Sequence, residues 1–283
     1  MNGAALFVGI PEFQHKDLSK LPAVITDVKN FTNAFKKLGF NCRSLQKDVI
    51  KANFEDTLDE VIKDVIDNNR EYLALSISSH GAEYLVSFPP DVKTKRVHFI
   101  WFNDGELTTQ SILDRLKKEE LKDVTKLVMI SACRSRPDSK SQVDNIDQGV
   151  EIELVDRQED EYTGLSNAVS QSGATPANTE LVLPDLPQNT ILWYSSPSGK
   201  YEYDSMGTGS YFVNKVCSEL NKIPSSDSRS IMDVMCAVHK SLASMEDKTI
   251  VVEDENRQPV KVYWKTVPSF IHNLSKSLSF IKT

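Results

Sequence analysis

The chain has 283 residues, with 33 Lys and Arg against 40 Asp and Glu, a net charge of −7, and 40% hydrophobic residues. That length allows one large domain or two small ones, and that apolar share supplies a full core for an ordinary globular protein. The acidic balance repels phosphate backbones and excludes nucleic acid as a natural partner; no apolar run reaches the roughly 18–20 residues that a membrane span needs.

The N-terminus has no basic start followed by a long apolar stretch, so no secretory signal is read there. Ala4–Ile10 is a short apolar run that reads as a buried strand. In Lys20–Leu38, Val24, Val28, Phe31, Phe35 and Leu38 recur at spacings of three and four, which predicts an amphipathic helix, and Gly39 fits its C-cap. Phe40–Leu45 reads as a second strand. Asn53–Asn68 repeats the helical pattern through Phe54, Leu58, Val61, Val65 and Ile66. Tyr72–Ser78 is a third strand, and the segment from Tyr84 to Phe102, with Pro89-Pro90 inside it, reads as a hairpin beside the sheet. Leu107–Leu121 reads as a helix with Ile112, Leu113 and Leu116 on one face, and Lys126–Ser131 as the fourth buried run.

Strands alternating with helices predict crossover units, hence parallel strands with helices on both faces. A sheet buried on both faces also explains why the strand runs are nearly all apolar. From Arg134 to about Gln188 the chain turns polar and loses any period, as in a functional or disordered loop. Thr190–Ser195 then reads as a fifth strand, Ser210–Leu220 and Ser230–Leu242 as helices, and Ser277–Lys282 as a last strand.

In open parallel sheets ligands bind beyond the C-terminal strand ends. His80 follows one strand and Cys133 follows another, 53 residues later. A thiolate nucleophile needs an imidazole within reach to take its proton, and this placement provides one. Gly81 lets a substrate approach the backbone closely, and its N–H together with that of Cys133 is the candidate oxyanion hole. Taken singly, a Cys after a strand is usually a small buried hydrophobe and a loop His usually does nothing special. The pair at matching strand ends is the stronger signal, and His15, His98, His239 and His272 lack that placement. Cys42, Cys133, Cys217 and Cys236 show no metal-ligand spacing, so no metal or cofactor is expected, and their sparseness fits a reducing compartment such as the cytosol.

Ser79-His80-Gly81 and Ser131-Ala132-Cys133-Arg134-Ser135 resemble the Ser-His-Gly and Gln-Ala-Cys-Arg-Gly motifs of caspases. Ala5-Leu6-Phe7-Val8, Thr26-Asp27-Val28, Leu38-Gly39-Phe40, Gly209-Ser210-Tyr211-Phe212, Val267-Pro268-Ser269 and Leu278-Ser279-Phe280 extend the resemblance along almost the whole chain. It implies a three-layer α/β sandwich around a mostly parallel six-stranded sheet. It also implies a large-subunit region at 1–136, an inter-subunit linker at 137–188 and a small-subunit region at 189–283, within one domain. The family further implies a cytoplasmic thiol protease made as a zymogen, linked to apoptosis, acting on protein substrates and pairing as a homodimer or with another caspase.

Caspases cut after Asp, using two arginines and a glutamine in the primary pocket. Alignment on the motifs places Ala23, Asp204 and Ser131 at those three positions. An acidic side chain buried without a cation costs several kcal/mol, so this pocket is expected to prefer Arg or Lys. Paracaspases, which resemble caspases and cut after Arg, carry acidic residues at the positions of Asp204 and Asp27. Their Asp two residues before the Cys is Ser131 here. Cys133-Arg134-Ser135-Arg136 has something of their basic run, while the small-subunit motifs look more like true caspases. One alternative stays open, a non-cleaving homologue that regulates a partner caspase by pairing; for a nucleotide-binding α/β protein Gly207-Thr208-Gly209 is too short a glycine signal and does not lead from a clear strand into a phosphate-binding helix.

Overall fold

The computed structural model describes residues 1–88, 93–137, 179–180, 183–202, 204–205, 208–225, 227–245, 248–253, 258–265 and 267–282. In chain order the strands are β1 (Gly3–Gly9), β2 (Phe40–Leu45), β3 (Tyr72–Ser78), β4 (Gly81–Phe88), β5 (Lys93–Phe102), β6 (Gly105–Thr108), β7 (Thr125–Ser131), β8 (Thr179–Glu180), β9 (Thr190–Tyr194), β10 (Asp204–Ser205), β11 (Gly209–Ser210), β12 (Ser228–Ser230), β13 (Lys248–Glu253), β14 (Pro259–Trp264), β15 (Ser269–His272) and β16 (Ser279–Ile281). The helices are α1 (Ala23–Lys37), α2 (Lys51–Asp67), α3 (Thr109–Asp114), α4 (Tyr211–Asn221) and α5 (Ile231–Ala243).

Six strands form the central sheet in the order β15-β9-β7-β3-β1-β2. All neighbours pair in parallel except β15, which runs antiparallel to β9 at the edge. Strand alternation sorts the side chains into two cores. Ala5, Phe7, Ala74, Met129, Ile191 and Trp193 face α1, α4 and α5. Leu6, Val8, Leu75, Ile77, Val128, Ile130 and Leu192 face α2 and α3. The result is the expected three-layer sandwich with helices on both faces. α1 places Val24, Val28, Phe31 and Phe35 inward, with Phe7 stacked on Phe31 at 5.5 Å. Gly39 then takes φ 85°, the left-handed conformation that ends the helix.

Three elements differ from the sequence reading. The helix expected over Leu107–Leu121 is split into β6, α3 and a 3-10 turn at Glu119–Leu121. Leu107 pairs with Ile100 in the side hairpin, and the Thr108 hydroxyl accepts the Ser111 N–H at 2.9 Å, so the helix starts there. The C-terminal strand exists, but β16 pairs with β12, away from the central sheet; the sixth central strand is β15. The β13–β14 hairpin has no counterpart in the sequence reading. The side hairpin near Tyr84–Phe102 is β4 with β5, extended by β6 and β8.

Most of 137–188 lies outside the described residues. Its end is anchored: Gln110 bonds the backbone of Asp185 on both sides, and Lys117 bonds its carboxylate at 2.6 Å. One contact ties position 188 to the first part of the chain. Lys126, only 1% exposed, donates its ammonium to the carbonyls of Leu121 (2.6 Å), Val124 (2.8 Å) and Gln188 (2.7 Å). Among the described residues no helix is long and apolar enough to cross a membrane.

Candidate active site

The register of the sheet sets the site. Ser78, the last residue of β3, stands opposite Ser131, the last residue of β7. The ladder continues for one more bond, Ser79 N–H to the Ser131 carbonyl at 3.0 Å. His80 and Cys133 therefore leave the same sheet edge, each two residues past its strand. Both line one cleft of about 220 Å³ with Leu21, Ala23, Val24, Asp27, Ser78, Ser79, Ser131, Glu202 and Ser210. Five of the residues singled out in the sequence thus come together: Ala23, Asp27, His80, Ser131 and Cys133. Of Asp204 the structure describes the backbone, paired in β10 with Ser210 of β11; its side chain lies outside the described residues.

His80 is aimed by residues that the sequence did not single out. Its Nε2 lies 2.8 Å from the Ser19 carbonyl and 3.4 Å from the Ser19 hydroxyl. A carbonyl only accepts, so Nε2 carries the proton and Nδ1 is the basic nitrogen of the neutral ring. Phe13 packs against the ring at 4.9 Å.

Cys133 is partly exposed, and its loop is well held. The Ala132 N–H donates to the Ser195 hydroxyl and the Ser196 hydroxyl donates to the Ala132 carbonyl. Arg134 N–H donates to the Lys200 carbonyl, and Gly199 N–H returns a bond to Arg134. The Arg134 guanidinium grips the buried Glu83 carboxylate, with Nε and Nη2 each at 2.7 Å. Glu83 also accepts from the Ser198 hydroxyl (2.5 Å) and the Gly199 N–H (3.2 Å). Arg134 lies 4.0 Å over the Tyr194 ring, and burial pushes the Tyr194 hydroxyl up to about 12.

The opposite wall is acidic. The Ser131 hydroxyl donates to Glu202 at 2.5 Å and lies 3.1 Å from the Ser210 hydroxyl. Asp27, 2% exposed, accepts the Ser210 N–H at 2.7 Å. The Glu202 N–H points at the Cys133 sulfur from 3.2 Å, so the chain at 202 lies across the nucleophile candidate. Gly81 begins β4 directly against the Cys133 carbonyl: a Cβ there would sit 2.5 Å from that oxygen. Burial pushes the thiols of Cys42 and Cys217 upward, the former to about 11, which leaves them poorly suited to nucleophilic work at neutral pH.

Ser19, Glu83, Arg134 and Glu202 complete the site, and only Arg134 lay inside a motif. Glu83 had a legible signal: an acidic residue inside the apolar segment Ala82–Val86, where it needs a buried partner. Ser19 and Glu202 sit in loops, 61 and 69 residues from the groups they touch, and nothing local marks them.

No curated protein sequence matches the chain. Among solved structures, the crystal structure of caspase-1 from Spodoptera frugiperda superposes with a TM-score of 0.67 at 16% identity, covering 100% of this chain and 90% of that one. The family model described as the caspase domain matches residues 2–278. With the sheet order, the motif residues and that match in agreement, the chain belongs to the caspase family of cysteine peptidases.

Proposed function

We propose that this member is an active cysteine endopeptidase, with Cys133 as nucleophile and His80 as its base, and that its primary pocket takes Arg or Lys in preference to Asp. Nδ1 of His80 takes the thiol proton. The thiolate forms the C–S bond to the scissile carbonyl, and the N–H groups of Gly81 and Cys133 receive the oxyanion. The imidazolium returns its proton to the leaving amine, and water then hydrolyses the thioester. The chain at 202 moves off the sulfur when substrate enters.

The observation that carries the specificity reading is the composition of the cleft wall. Asp27 and Glu202 supply two carboxylates, and among the described residues none lining the cleft is Lys or Arg. Asp204 adds a third carboxylate in the same reading. A desolvated charge pair contributes several kcal/mol and a like-charge contact costs a similar amount. About 3 kcal/mol changes a ratio of specificity constants by more than a hundredfold. Protein substrates, maturation by a cut within 137–188, and pairing with itself or another caspase belong to the same proposal.

A second reading, the non-cleaving partner that regulates another caspase, is favoured by the Glu202 N–H on the Cys133 sulfur, which lays the chain at 202 against the nucleophile candidate. A peptide library varied at the residue before the cut separates the two. The expected result is cleavage after Arg and Lys, abolished by Cys133→Ala and strongly slowed by His80→Ala. Clean cleavage after Asp overturns the specificity reading. Turnover that survives Cys133→Ala overturns the nucleophile. A wild-type protein that cuts nothing under dimer-promoting conditions favours the second reading.

A further inference from the structure

The hairpin β4–β5 inserts two polar residues under the nucleophile loop. Glu83 and His98 stand directly opposite each other in the hairpin register. Glu83 holds Arg134, as described above; His98 holds the residue before it. His98 Nε2 is 3.1 Å from the Cys133 carbonyl oxygen, and Nδ1 is 2.8 Å from the Thr109 hydroxyl. The ring is 7% exposed and stands edge-on to Tyr194 at 5.6 Å.

These contacts fix the chemistry of the ring. The carbonyl accepts only, so Nε2 is the protonated nitrogen, and Thr109 donates its hydroxyl proton to Nδ1. Burial first, and Arg134 second, lower the imidazole to about 3, so it stays neutral across the physiological range. Gly81 packs against the same carbonyl next to the ring, where a Cβ would also lie 2.8 Å from His98 Nε2. The peptide plane leaving Cys133 is thus held at both ends, by His98 at its carbonyl and by the Arg134 N–H bond to the Lys200 carbonyl at 2.8 Å, with Gly81 packed close enough to leave no room for a side chain.

We infer that His98 is a positioning residue for Cys133: its Nε2–H, with Thr109 fixing the tautomer, holds the Cys133 carbonyl and so aims the thiol and the backbone N–H beside it. This rests on the reading of Cys133 as nucleophile. Removing the donor leaves that plane fastened only through the Arg134 N–H and lets its carbonyl end shift, and a displacement of about 1 Å at a reacting group costs on the order of a hundredfold in rate.

The test compares His98→Leu, which keeps volume without a donor, with His98→Gln, which keeps an amide donor near the Nε2 position. Two readouts are taken: kcat and KM on a cleaved peptide, and the rate of iodoacetamide alkylation at Cys133 by peptide mass. The exposed Cys236 on α5 serves as the internal reference. Expected for His98→Leu are a kcat lower by about 30- to 100-fold at nearly constant KM and a changed alkylation rate at Cys133 alone. His98→Gln is expected to restore most of both. If Leu and Gln behave alike, or if Leu matches wild type, the inference is overturned. Should His98→Leu fail to fold, Thr109→Val decides: a several-fold lower kcat at constant KM, restored by Thr109→Ser, supports it, and an unchanged kcat overturns it. If the wild-type protein cleaves no peptide, the protease reading fails, while the alkylation rates of the variants still decide the role of His98.

Discussion

The Glu83–Arg134 pair offers the sharpest energetic test of how the site is built. Glu83 is 2% exposed and the Arg134 side chain 12%, so both charges are shielded from water. Four contacts satisfy the carboxylate: two from Arg134, one from Ser198 and one from Gly199. Glu83→Gln keeps the shape but removes the charge and strands the guanidinium. Breaking one side of a buried pair costs roughly 3–5 kcal/mol. An amide still meets Ser198 and Gly199, so the lower end applies, about 3 kcal/mol. For a chain of this size that lowers the melting temperature by roughly 6–12 °C. Arg134→Met should cost a similar amount. The double variant should cost less than the sum of the two by about 2 kcal/mol, because it leaves no unpaired charge. Urea unfolding at constant m-value measures all three. If the two single losses simply add, the pair is not an energetic unit and the account of the loop is wrong.

The same hairpin gives a pH signature. His98 is held neutral at a folded value of about 3, against about 6.5 when unfolded. The unfolded chain therefore gains a proton first as pH falls, so stability is level above about 6.5 and declines from there toward 3, by at most about 1.4 kcal/mol per unit. Denaturant titrations between pH 7 and 5.5 should show a shallower decline in His98→Gln; equal slopes would count against a buried neutral ring. Gly81→Ala should lose roughly 1–3 kcal/mol and much of kcat, since the new methyl meets the Cys133 carbonyl, the His98 ring and Ala132 within about 3 Å; wild-type melting and turnover would show that the loop gives way freely. Glu202→Gln should lower the Arg-over-Asp cleavage ratio by roughly tenfold, read from paired peptides, and an unchanged ratio would remove Glu202 from the specificity account.

The layers were legible because buried parallel strands are written as uninterrupted apolar runs. Tyr72–Ser78 has the bounds read from the sequence, and the Ser78–Ser131 register then brings His80 and Cys133 to one edge. Short elements were not legible. Ser269–His272 has four residues and one partner strand, so its place at the sheet edge depends on β9 rather than on its own pattern. Leu107 fits a helical face as well as a strand, and only its pairing with Ile100 decides. His98 was passed over because the usual alternation is inverted around it. Arg96 and His98 turn inward with Ile100, while Val97 and Phe99 are more exposed. The polar partners of His98 are Thr109 and Cys133, both more than ten residues away in sequence, which no local window contains.

The ammonium of Lys126 gives this chain an unusual relation to its own integrity. It fastens position 188 to the C-terminal side of the turn at Glu119–Leu121, two residues before β9 enters the sheet between β7 and β15. A backbone cut between 138 and 178 would leave two polypeptides, the second supplying two of six central strands together with α4 and α5. They cannot separate without exposing both cores, so the nicked protein should behave as an intertwined heterodimer that holds its native sheet. Its unfolding becomes a dissociation, and mass action then makes the melting temperature rise with protein concentration. The intact chain, by contrast, melts without that dependence as long as it stays monomeric.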